Sequence, residues 1–232
     1  MKSIKKIILG ILGSFSLLTL VQANAQIIIS EVMSSENGSQ TYNQDWFELT
    51  NTGTTAVDIT GWKMDDNSDA FGSAVALRLT GNTIAAGQSV VFVESTGSSD
   101  ATVQAAFESS WFGTNVPSGF AIGGYNGSGV GLSSTADEVN IFNASGTKIA
   151  GVGFGTATKG VSFDNSVGLN STGSTDVIIS TLSVAGSNGA FIAPSGEVGS
   201  PGAVPEPSTY ALMLGGFVML IGFQFLRRNN IA

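Results

Sequence analysis

Trp46-Phe47-Glu48-Leu49-Thr50-Asn51 decides the fold, because its apolar residues recur at every second position. In an extended chain, successive side chains point to opposite faces, so Phe47 and Leu49 share one side while Trp46, Glu48 and Thr50 share the other. The same alternation pairs Val57 with Ile59, and Val139 with Ile141. These sets are the expected core. Gly61 stands between Ile59 and Trp62, where a β-bulge would shift the phase and turn Trp62 and Met64 inward. Burying Phe47, Leu49, Ile59 or Trp62 contributes roughly 1.5–3 kcal/mol each.

Outward from that stretch, helical periodicity is nearly absent, and short runs rich in Val, Ile and Phe recur between clusters of Gly, Ser, Thr and Asn. Strands are expected over 27–33, 46–51, 56–59, 62–64, 75–79, 89–94, 138–143, 148–154, 161–163 and 177–182. Turn signals such as Asn37-Gly38, Ala86-Gly87 and Ser145-Gly146 separate several of them. The class is all-β, a sandwich or barrel. Residues 96–134 read instead as a long glycine-rich loop carrying Trp111, Phe112, Phe120 and Tyr125, either as a binding rim or, the favoured reading, as a cover for one end of the core.

Hydrophobic segments bracket this body. Lys2, Lys5 and Lys6 precede an apolar stretch over 7–21, and Ala23-Asn24-Ala25 follows as an A-x-A cleavage site, so residues 1–25 are expected to be a secretory signal peptide and Gln26 the first mature residue. At the other end, residues 210–226 are apolar and Arg227-Arg228 follow. At about 1.5 Å per residue that run reaches roughly 25 Å as a helix, close to the lower limit for a bilayer core. A transmembrane helix over 210–226 and a basic cytoplasmic tail over 227–232 are expected, with Arg227 and Arg228 stopping translocation and the body left outside.

Val204-Pro205-Glu206-Pro207-Ser208 occupies the linker, 203–209, in front of that span. Pro205 and Pro207 stop a helix and hold the stretch extended and open to a protease. A plain C-terminal anchor, the alternative reading, needs no such motif. Motif, glycine-containing span and terminal arginines together resemble the PEP-CTERM sorting signal over 204–228. The resemblance implies recognition and processing by a membrane-embedded exosortase, with Pro205, Glu206 and Pro207 as recognition elements, and cargo that accompanies exopolysaccharide. Leader and tail agree with a Gram-negative source, with passage through the export machinery, and with a precursor anchored in the inner membrane on its way to the cell surface or extracellular matrix.

Charge and composition narrow the function. The sequence has 9 Lys and Arg, of which three lie in the leader and two in the tail, leaving four in the body against all 17 acids, a net charge of −13. Nucleic acid is therefore not an expected partner, since phosphate binding needs basic patches. Histidine and cysteine are both absent, which removes Ser-His-Asp and Cys-His nucleophiles and the usual zinc sites. Ser145-Gly146-Thr147-Lys148 matches Ser-x-x-Lys in spacing but falls between two expected strands and reads as a hairpin turn. Asp65, Asn67 and Asp69 place oxygens at alternate positions as a calcium loop does, yet Ala70 and Ala76 stand where that loop needs Gly and a bidentate Glu. They are left as a weak surface site for calcium, beside the plainer reading of a solvated loop, and no cofactor is otherwise expected.

Four phrases resemble the first half of a lamin-tail domain: Ile28-Ile29-Ser30-Glu31-Val32-Met33, then residues 45–51, then Ala56-Val57-Asp58-Ile59-Thr60-Gly61-Trp62-Lys63-Met64, then Ile84-Ala85-Ala86-Gly87-Gln88-Ser89-Val90-Val91. Residues 137–146 and Gly199-Ser200-Pro201-Gly202 fit its later half more loosely. The resemblance implies an immunoglobulin-like β-sandwich over 26–202. In it Glu31 and Glu48 read as fold-defining polar contacts rather than as an acid/base pair. The expected protein is a non-enzymatic exported surface or matrix module. The alternative is a membrane-anchored adhesion module that binds calcium or glycan.

Overall fold

The computed structural model describes residues 26–38, 42, 44–96 and 99–203. The expected signal peptide with Ala23 and Ala25, the motif at Val204, Pro205, Glu206, Pro207 and Ser208, the expected transmembrane helix, and Arg227 and Arg228 lie outside the described residues. Among the described residues, no helix is long and apolar enough to cross a membrane.

In chain order the elements are β1 (Ile27–Met33), β2 (Trp46–Asn51), β3 (Val57–Asp58), β4 (Lys63–Asp65), β5 (Val75–Ala76), β6 (Thr83–Ile84), β7 (Ser89–Glu94), α1 (Asp100–Phe112), β8 (Ile122–Tyr125), β9 (Asp137–Phe142), β10 (Lys148–Phe154), β11 (Phe163–Asp164), β12 (Val177–Ile179), β13 (Phe191–Ile192) and β14 (Val198–Gly199). Two sheets dominate, in the orders β11-β1-β2-β7-β8 and β12-β10-β9-β4-β5. Their pairing is antiparallel except for β7 with β8 and β10 with β12. Among the described residues this is a mostly-β body with one helix, consistent with an immunoglobulin-like all-β fold.

One core lies between the sheets. Ile29, Phe47, Val90 and Phe92 from the first meet Met64, Val139, Ile141 and Val152 from the second, and all eight are fully buried. Every residue expected in the core is there, although Val57 is only half-buried. The phase change at Gly61 has a different cause from the expected bulge. The Trp62 amide donates to the Ile59 carbonyl at 3.0 Å across a tight turn, in which Gly61 sits at φ +73°, and β4 starts afresh beyond it. The bulge in this region of the fold is at Ser30, between the pairs Ile29↔Leu49 and Glu31↔Glu48. It sends Ile29 and Val32 to the core and Glu31 and Met33 to the opposite face.

That opposite face is not solvent-facing, as alternation alone would have it: all six residues of β2 are buried. Half of it is covered by α1, which sits in the stretch read as a loop. Ser99 accepts the Thr102 amide as its N-cap, and Val103, Phe107 and Trp111 recur every four residues on the buried side. Trp111 and Phe107 meet Trp46 edge-to-face at 5.5 and 5.6 Å. The remainder of the loop supplies β8. Tyr125 is wholly buried in the core between the sheets and Trp111 between α1 and the first sheet, with Phe112 and Phe120 partly buried beside Trp111, so these aromatics form no exposed binding rim.

Candidate functional site

The other half of the outer face of the first sheet is polar. Glu31 and Glu48 are each 1% exposed and stand opposite one another on β1 and β2. Above them lies Gly199-Ser200-Pro201-Gly202. The Ser200 amide donates to Glu31 Oε1 at 2.8 Å, its hydroxyl to Glu31 Oε2 at 3.0 Å, and the Gly202 amide to Glu48 Oε2 at 2.5 Å. Ser162 also donates to Glu31, Ser30 donates to Glu48 Oε1 at 2.7 Å, and Ser89 reaches the Ala203 carbonyl at 2.9 Å. Burial pushes both carboxyls up, and for Glu48 the neighbouring Glu31 pushes it further. The two acids are used as acceptors that hold the 199–202 turn.

Glycine in this turn is dictated by space. A methyl on Gly199 would meet Glu31 Oε1 at 2.6 Å and the Trp111 ring at 2.8 Å, and Gly202 needs φ +81° against the Phe120 ring. Beside the turn, between residues 85–89 and 117–120, lies a cleft of about 370 Å³. Its lining has hydroxyl, amide and apolar groups but no acid or base.

A family model described as Lamin Tail Domain matches residues 21–156, more than half of the chain. The chain belongs to the lamin-tail-domain family. Beyond residue 156 the chain stays packed on the matched region, since β11 pairs with β1 and the 199–202 turn is bonded to Glu31 and Glu48. A second family model, described as PEP-CTERM protein-sorting motif, matches residues 203–228, and marks this lamin-tail protein as exported and sorted by an exosortase. Comparisons with curated proteins and with solved structures gave no match.

The expected calcium loop is only partly assembled. Asp65 Oδ2 accepts the Ala70 amide at 2.7 Å, and Asp66 Oδ1 accepts the Ser68 amide at 3.0 Å, so the local acids wind the turn onto themselves. Asn67 is exposed and contributes its backbone amide to Asp137 at 3.2 Å. Asp69, at φ +46°, turns its carboxylate to Lys148 at 3.1 Å. The residues that join Asp65 and Asp69 come from elsewhere in the second sheet. Asp65 is in register with Asn140, Asn140 with Gly151, and Asp176 enters β12 beside Gly151, making a polar row across the outer face. Lys148 pairs with Asp176 as well as Asp69, and Asn140 Nδ2 donates to Glu138 at 3.3 Å. The Ser145–Lys148 segment is a hairpin turn: the Asn143 amide donates to the Thr147 carbonyl at 2.9 Å. Among the described residues, no three acids close around a common point as a metal cage would.

A third acidic group caps one end of the core. Asp45, Glu94 and Tyr125 follow each other across β2, β7 and β8, and Asp137 faces them from the second sheet. Burial, then the charges of Glu94 and Glu36, push the Asp45 carboxyl up to about 8, against the Leu132 amide that it accepts.

Proposed function

We propose that this is a non-enzymatic exported protein of the cell surface or extracellular matrix, released or linked to envelope polysaccharide after an exosortase processes its tail. One observation carries the reading. The sorting-motif match begins at residue 203, the last described residue, whose carbonyl is bonded to Ser89. Cleavage within 204–209 would leave the sandwich, its helix and its closing turn complete, as a displayed module requires. Export through a signal peptide over 1–25, a membrane-anchored precursor and Arg227 and Arg228 on the cytoplasmic side belong to the same proposal.

The lack of histidine and cysteine, the use of Glu31 and Glu48 as acceptors for the closing turn, and a cleft without acid or base support a role without catalysis. The test is the intact mass of the protein recovered from cells and from medium. A chain starting at Gln26 and ending between 204 and 209 is the expected product. If every copy ends at Ala232, the tail is only an anchor and the reading falls.

A further inference from the structure

The row on the outer face of the second sheet is short of positive charge. The Asp69 and Asp176 carboxylates share one ammonium, that of Lys148, with Glu138 and Asp65 farther along the row. The other basic residues of the body are engaged elsewhere: Arg78 with Asp100 at 2.6 Å, Lys63 over the Phe71 ring at 4.4 Å, and Lys159 beside Gly38.

Three buried oxygens on this row, Asp65 Oδ1, Asn140 Oδ1 and Asp176 Oδ2, have no hydrogen-bond partner. Asp65 and Asn140 are 0% exposed and the Asp176 side chain 1%. A buried acceptor left unpaired is costly, and more so when charged, so these oxygens are suited to take up a cation. Asn140 and Asp176 converge over Gly151, where a methyl would meet Asn140 Oδ1 at 2.8 Å and would collide with Asp176 Oδ1 and Lys148 Cε, so the absent side chain is what lets these groups share one space.

We propose that this row is a weak site for a divalent cation, calcium by its chemistry, in which Asp69, Asp176 and Asn140 supply the first oxygens and the Lys148 ammonium marks the position of the ion. Asp65 Oδ1 stands next in the row. On binding, the Lys148 stem swings toward solvent and the cation takes over its two carboxylates. An all-oxygen set drawn from strands and a turn suits the irregular shell of calcium and not the strict octahedron of magnesium. The site goes beyond the sorting function and does not depend on it.

The test is calcium titration of the purified full-length protein by calorimetry, with thermal melts in parallel. Binding in the range of about 0.1–1 mM, typical of extracellular calcium modules, and a raised melting temperature are expected. Asp176→Asn and Asn140→Ala should each weaken binding about tenfold or more. Lys148→Met removes the competing ammonium and should strengthen binding, with calcium restoring any lost stability, whereas Asp66→Asn should leave the affinity unchanged. Absence of heat with both the wild type and a folded Lys148→Met protein overturns the site. So does a Lys148→Met protein that is destabilised and that calcium does not rescue, since the row is then an ion-pair network only. Equal binding of magnesium overturns the assignment to calcium.

Discussion

The Ser200 amide donates to Glu31 Oε1 at 2.8 Å across 169 residues of chain. With Gly202 on Glu48 and Ala203 on Ser89, it fixes the exit of the chain to three neighbouring strands, β1, β2 and β7. Glu31→Ala leaves buried Ser162 and Ser200 donors without their acceptor, and should lower the free energy of unfolding by about 2–4 kcal/mol in urea. Glu31→Gln keeps one acceptor oxygen and should lose about half as much. Equal losses in the two variants would show that volume, not hydrogen bonding, is what Glu31 provides.

Acid should stabilise this protein. Burial raises the carboxyls of Glu31 and Glu48, and raises Asp45 from 3.8 to about 8. Between the unfolded and folded values the native state keeps protons that the unfolded chain has released. This stabilising contribution is therefore complete below about pH 4, declines as pH rises, and is gone above about pH 8. The melting temperature at about pH 5 should exceed that at about pH 8.5 by several degrees, and Asp45→Asn with Glu48→Gln should flatten the slope. A melting temperature that rises with pH across that window contradicts the argument.

Gly199→Ala should be destabilising although it adds a single methyl. The carbon would lie 2.6 Å from Glu31 Oε1, 2.8 Å from Trp111 and 2.9 Å from Ser162 Oγ, none of which has room to retreat. A loss of about 1–3 kcal/mol is expected in denaturant melts. Gly155→Ala, which meets nothing within 4 Å, is the control and should change little.

Trp111→Ala empties the apolar cluster between α1 and the first sheet, where the indole packs at 5.5 Å from Trp46 and 5.8 Å from Phe107 and donates to Tyr42 at 3.2 Å. A loss of about 3–5 kcal/mol is expected. Ser99→Ala removes the cap of the same helix and should cost about 1 kcal/mol. Far-ultraviolet circular dichroism alongside the melts separates loss of the helix from loss of the whole sandwich.

Strands 27–33, 46–51, 89–94 and 148–154 were legible to the residue, because continuous apolar or alternating runs bounded by turn residues leave little freedom. The helix was hidden by its neighbourhood. Glycine crowds residues 113–131, yet 100–112 contains none, and Ser99, the Val103-Phe107-Trp111 spacing and Gly113 were the available signal. The expected strand over 75–79 shrank to Val75–Ala76, because the Leu77 amide pairs instead with the Trp62 carbonyl and Arg78 crosses to Gly124 in the first sheet. Of the calcium candidates, Asp65 and Asp69 lie at the polar row while Asn67 does not, since the turn acids bond to their own backbone.

By itself, the sequence determined the all-β class, the inward faces of the central strands and the sorting signal, because each is written in residues close together in the chain. What covers the outer face of β2, why two buried glutamates are tolerated there, and which oxygens meet over Gly151 were decided only by the tertiary structure. Those contacts join residues up to 169 positions apart, and local periodicity carries no information about a partner that only chain packing brings near.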